Sequence, residues 1–156
     1  NKLYEDLGKE YAIIVKHHPF VNNRSHIRKK YKDYIIDLSA NSELNDLLFV
    51  TDVLITDYSS VFFDYANLRR PMLFFTYDLE KYRSVLRGFY NDVEEELPGP
   101  MLMTTDEVIG ALQNIENVVT EHSDKYTAFC DKYCAWEDGT AAKKVVETVF
   151  SDKSNK

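Results

Sequence analysis

Four short apolar runs, each followed by a stretch long enough for a helix, constrain this chain more than any other feature. They are Tyr11-Ala12-Ile13-Ile14-Val15, Tyr34-Ile35-Ile36-Asp37, Asp52-Val53-Leu54-Ile55-Thr56 and Met72-Leu73-Phe74-Phe75. Continuous apolar runs of this length suit strands buried on both faces. Strands alternating with helices imply parallel pairing, because parallel neighbours need a crossover rather than a tight turn. The expected class is therefore α/β: a parallel sheet with helices on both faces.

The intervening segments read as helices with identifiable boundaries. Leu3 to Lys9 looks like a helix tail with Leu3, Tyr4 and Leu7 on one face. Ser42 is expected to cap a helix from Glu43 to Val50, turning Leu44, Leu47 and Leu48 inward. After a tight Asp57-Tyr58 turn, Ser59 opens a helix through Leu68. Asp78 to Leu86 reads as a short helix, and Gly88 to Pro100 as irregular chain. Thr104-Thr105-Asp106-Glu107 fits a capping box, in which the threonine and the glutamate satisfy each other's orphan amides. Helices are expected at Asp106 to Ile115, Thr120 to Tyr133 and Thr140 to Phe150, before a frayed tail from Ser151 to Lys156. The basic stretch Arg24 to Lys32 reads as an exposed helix or loop, either a solvated face or a contact for an anionic surface.

Composition narrows the class of partner. The 156 residues suit one domain, expected over residues 1–150, with residues 151–156 as a flexible tail. A net charge of −7 argues against nucleic acid, whose phosphates an acidic surface repels. No apolar run approaches the ~18 residues of a membrane-spanning helix. The first residues, Asn1-Lys2-Leu3-Tyr4-Glu5-Asp6, are not a signal peptide, and their abrupt start suggests that something precedes them. Two cysteines cannot form a disulfide framework, which points to a reducing compartment.

Ligands of open parallel sheets bind outside the carboxyl ends of the strands. Two such ends carry chemistry. In Thr56-Asp57-Tyr58-Ser59-Ser60-Val61-Phe62-Phe63-Asp64, a strand and a tight turn lead into a helix that begins with two hydroxyls. Ser59 and Ser60, with the first helical amides, could cradle a phosphate without glycines. Asp64, one turn further, could accept from ribose hydroxyls. The plainer reading makes Ser59 only a helix cap. Lys16-His17-His18-Pro19 ends the first strand, where an imidazole can donate to a phosphate or protonate a leaving group. The plainer reading is a loop histidine. Because extended side chains alternate, at most one of His17 and His18 should face a ligand. No metal site is expected: Cys130 and Cys134 share a helix face, with no further ligand to complete a zinc set. The sequence has no Gly-x-Ser-x-Gly elbow, no phosphate loop of the Gly-x-x-x-x-Gly-Lys type and no Gly-x-Gly-x-x-Gly.

These blocks, with Arg70-Pro71, Tyr77-Asp78-Leu79-Glu80-Lys81-Tyr82, Arg87-Gly88-Phe89-Tyr90 and Leu97-Pro98-Gly99-Pro100, resemble the CDP-glycerol glycerophosphotransferase family. These are the wall teichoic acid primases and polymerases, and the resemblance runs in order over residues 11–150. It implies the C-terminal, donor-binding half of a GT-B fold, a Rossmann-like domain that starts just before its second strand. It also implies the reaction: an acceptor hydroxyl attacks the β-phosphorus of CDP-glycerol, and CMP leaves. The base would be a histidine of an N-terminal half with no counterpart here, so the chain alone should be inactive. By resemblance His18 contacts the donor pyrophosphate as the catalytic residue of this half. Lys16 and His17 flank it, Ser59 and Ser60 bind phosphates, and Asp64 contacts the nucleotide. The loop Asp37-Leu38-Ser39 is the topological guess for a cytosine pocket. Implied partners are CDP-glycerol, a teichoic acid acceptor reached through the missing half, and the inner face of the cell membrane as a peripheral contact. No cofactor is implied. Three alternatives stay open: a ribitol-phosphate transferase of the same family, a non-catalytic nucleotide-binding module, and half of a nucleotide-sugar glycosyltransferase.

Overall fold

Each expected strand is present; the strand at Met72–Phe75 fills its apolar run and the other three are shorter than theirs. In a computed structural model, the structure describes residues 2–18, 27–40, 42–79 and 93–150. Helix α1 (Lys2–Leu7) leads into β1 (Ile13–Val15). A single 3-10 turn (Lys29–Tyr31) precedes β2 (Ile35–Asp37). Then come α2 (Leu44–Val50), β3 (Leu54–Thr56), α3 (Val61–Ala66) and β4 (Met72–Phe75). The order closes with α4 (Val93–Glu96), β5 (Met101–Leu102), α5 (Thr105–Gln113), α6 (Ile115–Tyr133) and α7 (Ala141–Phe150). Pro19, Phe20, Arg24, most of the Asp78 to Leu86 segment, Arg87-Gly88-Phe89-Tyr90 and the 151–156 tail lie outside the described residues.

All strand pairing among the described residues is parallel, in two sheets rather than the one expected. One sheet is β1-β2, with Ile14 opposite Ile36; the other is β3-β4-β5, with Ile55 opposite Leu73 and Phe74 opposite Met101. The strand β4 lies centrally and buries Met72, Leu73 and Phe74. Alternation along β4 sends these side chains to opposite faces. Met72 and Phe74 join Leu48, Phe62, Tyr65, Leu97 and Phe129 in one core, beneath α2, α3 and α6. Leu73 joins Leu7, Leu102, Val108, Ile109 and Leu112 in a second core, beneath α1 and α5. The three-stranded sheet is thus covered on both faces, as its apolar sequence requires. Strand β1 is only half-buried throughout, because β2 is its single strand neighbour among the described residues.

Several boundaries differ from those read in the sequence. Ser42 does not cap α2. Its hydroxyl donates to Leu38 O at 2.7 Å, and Glu43 occupies the cap position with no side-chain bond. Leu44, expected inward, is exposed at the helix start. Helix α3 begins at Val61 and ends at Ala66, two residues short of Leu68, with Asn67 at its C-cap. Helix α6 begins at Ile115 rather than Thr120, because Asn114 breaks the path of α5 and a new helix starts at once. Strand β5 was not legible as a strand. It follows Pro98-Gly99-Pro100, where a Cβ on Gly99 would sit 2.0 Å from Met72 O, so only glycine admits the close approach to β4. The Phe74 amide then donates to Pro100 O at 3.0 Å.

The capping box is as expected: Glu107 N–H donates to Thr104 Oγ1 at 3.2 Å, and Thr104 N–H donates to Glu107 Oε2 at 3.0 Å. Helix α7 buries no residue and exposes Val145, Val146, Val149 and Phe150. Among the described residues no helix is long and apolar enough to cross a membrane.

Candidate functional site

The residues expected to bind a donor follow the carboxyl ends of strands, Asp64 from within α3, and they fall into two groups. The first follows β1 and β2. Lys16 turns its ammonium onto main-chain carbonyls of the loop after β2, at 2.6 Å from Ser42 O, 3.1 Å from Ser39 O and 3.5 Å from Leu38 O. An ammonium has three protons, and these carbonyls take them. Lys16 therefore clamps two loops together, and its charge offsets carbonyl dipoles rather than reaching outward. His17 N–H donates to Ser39 Oγ at 3.0 Å, and Ser39 N–H donates to Asp37 Oδ1 at 3.0 Å. The Asp37-Leu38-Ser39 loop thus lies directly against the Lys16-His17 segment. His17 is half-buried and His18 is exposed, the alternation that an extended chain requires.

The second group follows β3 and β4. Ser59 and Ser60 are both exposed in the turn before α3. Ser59 Oγ accepts from Val61 N–H at a long 3.4 Å, and Ser60 stands at the cap position with no side-chain cap bond. The plain capping role is thus weakly filled by Ser59 and unfilled by Ser60. Asp64 lies in the first turn of α3 and is exposed, and its carboxylate has no partner among the described residues. The helix has only six residues, so its dipole is a smaller source of positive potential than a long helix supplies. The hydroxyls of Ser59 and Ser60 matter correspondingly more.

Two residues in this group were not identified as functional from the sequence. Tyr58 donates its hydroxyl to Asp78 Oδ1 at 2.9 Å, tying the turn after β3 to the turn after β4. Burial, reinforced by the Asp78 carboxylate, pushes the Tyr58 phenol far above its ordinary range. The available signal was positional: both residues stand two or three places past the end of an apolar run, at the carboxyl edge of adjacent parallel strands. On the opposite edge, Thr51 O accepts from Tyr65 Oη at 2.9 Å and from Arg70 Nη1 at 2.8 Å. That cluster anchors the start of β3 and lies away from the candidate site. Strands β1 and β3, which carry the two groups, are not hydrogen-bonded neighbours.

Cys130 is buried, with its thiol 3.7 Å from Ala66 O, and burial together with Cys130 pushes the Cys134 thiol up to about 11. No group of three metal-ligating side chains occurs among the described residues.

Comparison with known proteins identifies the family. The model of the family described as CDP-Glycerol:Poly(glycerophosphate) glycerophosphotransferase matches residues 1–151. A teichoic acid poly(glycerol phosphate) polymerase of Bacillus subtilis (strain 168) is 45% identical over 96% of this chain and 20% of its own length. A teichoic acid poly(ribitol-phosphate) polymerase of Bacillus spizizenii is 42% identical over 96% of this chain and 23% of its own length. A solved structure of a variant of the wall teichoic acid polymerase TagF, soaked with CDPG, superposes with a TM-score of 0.84 at 36% identity, covering 97% of this chain and 37% of that one. The fold, parallel sheets flanked by helices, is that of part of a GT-B-like polymerase. The chain belongs to the CDP-glycerol:poly(glycerophosphate) glycerophosphotransferase family. It spans between a fifth and a quarter of the length of these two polymerases.

Proposed function

We propose that this chain is the donor-binding part of a CDP-glycerol glycerophosphotransferase that extends a teichoic acid with release of CMP. The carrying observation is the family match over residues 1–151, together with two exposed hydroxyls, Ser59 and Ser60, at the carboxyl end of β3. On this reading the serines and the adjacent amides take the donor's phosphates, and His18 approaches the same diphosphate from the β1 side. Asp64 accepts from ribose hydroxyls. Lys16 keeps the β1 and β2 loops in place and acts on the donor only through them. Hydrogen bonds to a charged group contribute about 1.5–3 kcal/mol each, so a few suffice for millimolar to micromolar binding.

In the reaction, the acceptor oxygen forms a bond to the β-phosphorus and the bond from that phosphorus to the bridging oxygen breaks. CMP leaves with that oxygen. The proton of the acceptor hydroxyl goes to a base outside this chain. Such a transfer depends on positioning and on stabilising charge. His18 would donate to the oxygen on which charge develops. The full enzyme would work as a peripheral protein at the cytoplasmic face of the membrane, where a lipid-linked acceptor can meet a soluble nucleotide.

The donor is read as glycerol-based because the matching family model names CDP-glycerol. Identity alone separates the polyols weakly, at 45% to a glycerol polymerase and 42% to a ribitol polymerase. Titration calorimetry with CDP-glycerol, CDP-ribitol and a UDP-sugar tests the reading. Saturable binding of CDP-glycerol at micromolar to millimolar concentration is expected, with CDP-ribitol weaker. Tighter binding of CDP-ribitol would assign a ribitol-phosphate transferase. Binding of the UDP-sugar without CDP-glycerol would assign a nucleotide-sugar enzyme.

A further inference from the structure

One aromatic side chain on the rim belongs to neither core. Tyr77 is 65% exposed, yet the backbone that carries it is fixed on both sides. Thr76 and Leu79 are buried, and Leu79 N–H donates to Thr76 O at 3.1 Å. That bond closes a four-residue β-turn with Tyr77 and Asp78 at its two central positions. Thr76 ties the turn to the sheet, since its amide donates to Leu102 O at 2.8 Å. Asp78 is held by the Tyr58 hydroxyl at 2.9 Å. Tyr77, at the other corner, leans its ring on that of Phe75, with centroids 5.4 Å apart. Burial and Asp78 raise the Tyr58 phenol most, and Tyr77 is close enough to add to the rise. A rigid turn thus offers one phenol to solvent, directly beside the turn that carries Ser59 and Ser60.

The two faces of the sheet say which end of a ligand this phenol meets. Phe75 packs against the core beneath α1 and α5, so Tyr77, lying on Phe75, stands on that face. Asp64 belongs to α3, whose Phe62 and Tyr65 fill the core on the opposite face. Ser59 and Ser60 lie between the two, at the carboxyl end of β3. A donor whose phosphates sit at the serines and whose ribose turns along α3 to Asp64 therefore directs its other end toward Tyr77. Strands β3 and β4 are paired neighbours, about 4.8 Å apart, a gap that a three-carbon polyol spans.

We infer that Tyr77 reads the polyol of the donor: its hydroxyl hydrogen-bonds a hydroxyl of the group esterified to the terminal phosphate, and Asp78, held by Tyr58, fixes the turn that presents it. The inference rests on the proposed donor and assigns the end of that ligand which the serines, His18 and Asp64 leave unheld. The chemistry matches. A phenol both donates and accepts, as a polyol hydroxyl does. An ionised phosphate only accepts and is better served by cations or by amides at a helix start. The cytosine would lie with the ribose, on the far face of the sheet from Tyr77.

Titration calorimetry of the chain, of Tyr77→Phe and of Tyr77→Ala, each with CDP-glycerol and with CDP, is the test. Tyr77→Phe keeps the ring on Phe75 and removes only the hydroxyl. It should weaken CDP-glycerol by about threefold to tenfold, the loss of one hydrogen bond between neutral groups. Affinity for CDP, which lacks the polyol, should stay within about twofold of the parent in both variants, and the melting temperature should not move, because the side chain is exposed. Equal losses for the two ligands would place the hydroxyl on the diphosphate. A loss in Tyr77→Ala alone would give the contact to the ring rather than the hydroxyl. No loss in either variant would leave Tyr77 without a ligand. Each of these three outcomes overturns the inference while the proposed donor stands. If the parent chain binds neither CDP-glycerol nor CDP, the proposed donor fails and the assignment of Tyr77 falls with it.

Discussion

The Tyr58 hydroxyl donates to the Asp78 carboxylate at 2.9 Å and thereby fixes the turn that presents Ser59 and Ser60. The bond joins the carboxyl ends of two adjacent strands, so it sets the spacing of the rim without touching the core. Tyr58→Phe should lower stability by about 1.5–3 kcal/mol, the usual net worth of a hydrogen bond to a charged group. The urea midpoint should fall with an unchanged slope. Nucleotide affinity should fall with it, while Asp78→Asn, which keeps an acceptor, should do less harm.

Alkaline pH should unfold this protein through its tyrosines. Burial raises Tyr58, Tyr126 and Tyr65, the last to about 12, against an ordinary value near 10. A group whose folded pKa is raised contributes stability that is complete below the unfolded value and is lost as pH climbs through the folded one. The urea midpoint should therefore hold to about pH 10 and decline steeply between there and 12. Tyr65→Phe should flatten that decline while lowering the midpoint at pH 8. An unchanged slope in the variant would contradict the assignment.

Removing the Lys16 clamp should loosen the first site group. Lys16→Met abolishes the bonds to Ser39 O and Ser42 O, and a loss of about 1–3 kcal/mol is expected for hydrogen bonds from a charged donor. Methionine keeps the apolar stem, so the change isolates the ammonium. Chemical shifts of Leu38, Ser39 and Ser42 amides should report the disturbance before any ligand is added. Silence at those amides would place the ammonium elsewhere in solution.

Asp64 should behave oppositely. Its carboxylate is exposed and has no partner among the described residues, so Asp64→Ala should leave the melting temperature within about a degree. Affinity for CDP-glycerol should drop several-fold. A variant that melts well below the parent would make Asp64 structural instead.

The capping box offers a control remote from the site. Thr104→Ala removes the acceptor for Glu107 N–H and should cost about 0.5–2 kcal/mol, with no effect on nucleotide affinity.

Legibility in the sequence followed the strength of the local signal. Four strands were readable because each is a dense apolar run, and the Thr104 capping box because both partners lie within one turn. Strand β5 was not, since two residues behind Pro98-Gly99-Pro100 carry no periodicity; the strand exists because Gly99 can lie against Met72 O. Ser42 looked like a cap because the residue type is right, yet its hydroxyl bonds backward to Leu38 O, a choice made by the loop that Lys16 holds. The serines, histidines and Asp64 are candidates only through their place past strand ends. The Tyr58–Asp78 bond was not, because it joins residues twenty apart whose proximity depends on the register of β3 against β4. The division into two sheets could not be read at all, since each apolar run looks the same whether one edge or both edges are paired.

The central claim is that a diphosphate is held at the rim formed by Ser59, Ser60 and His18. Mapping amide shifts of the isotope-labelled chain during titration with CDP-glycerol, and with CMP as the shorter ligand, tests it most directly. The account predicts saturable shifts at Ser59, Ser60 and His18, larger for CDP-glycerol than for CMP. If those three amides stay still up to high millimolar nucleotide while the protein remains folded, the claim is wrong.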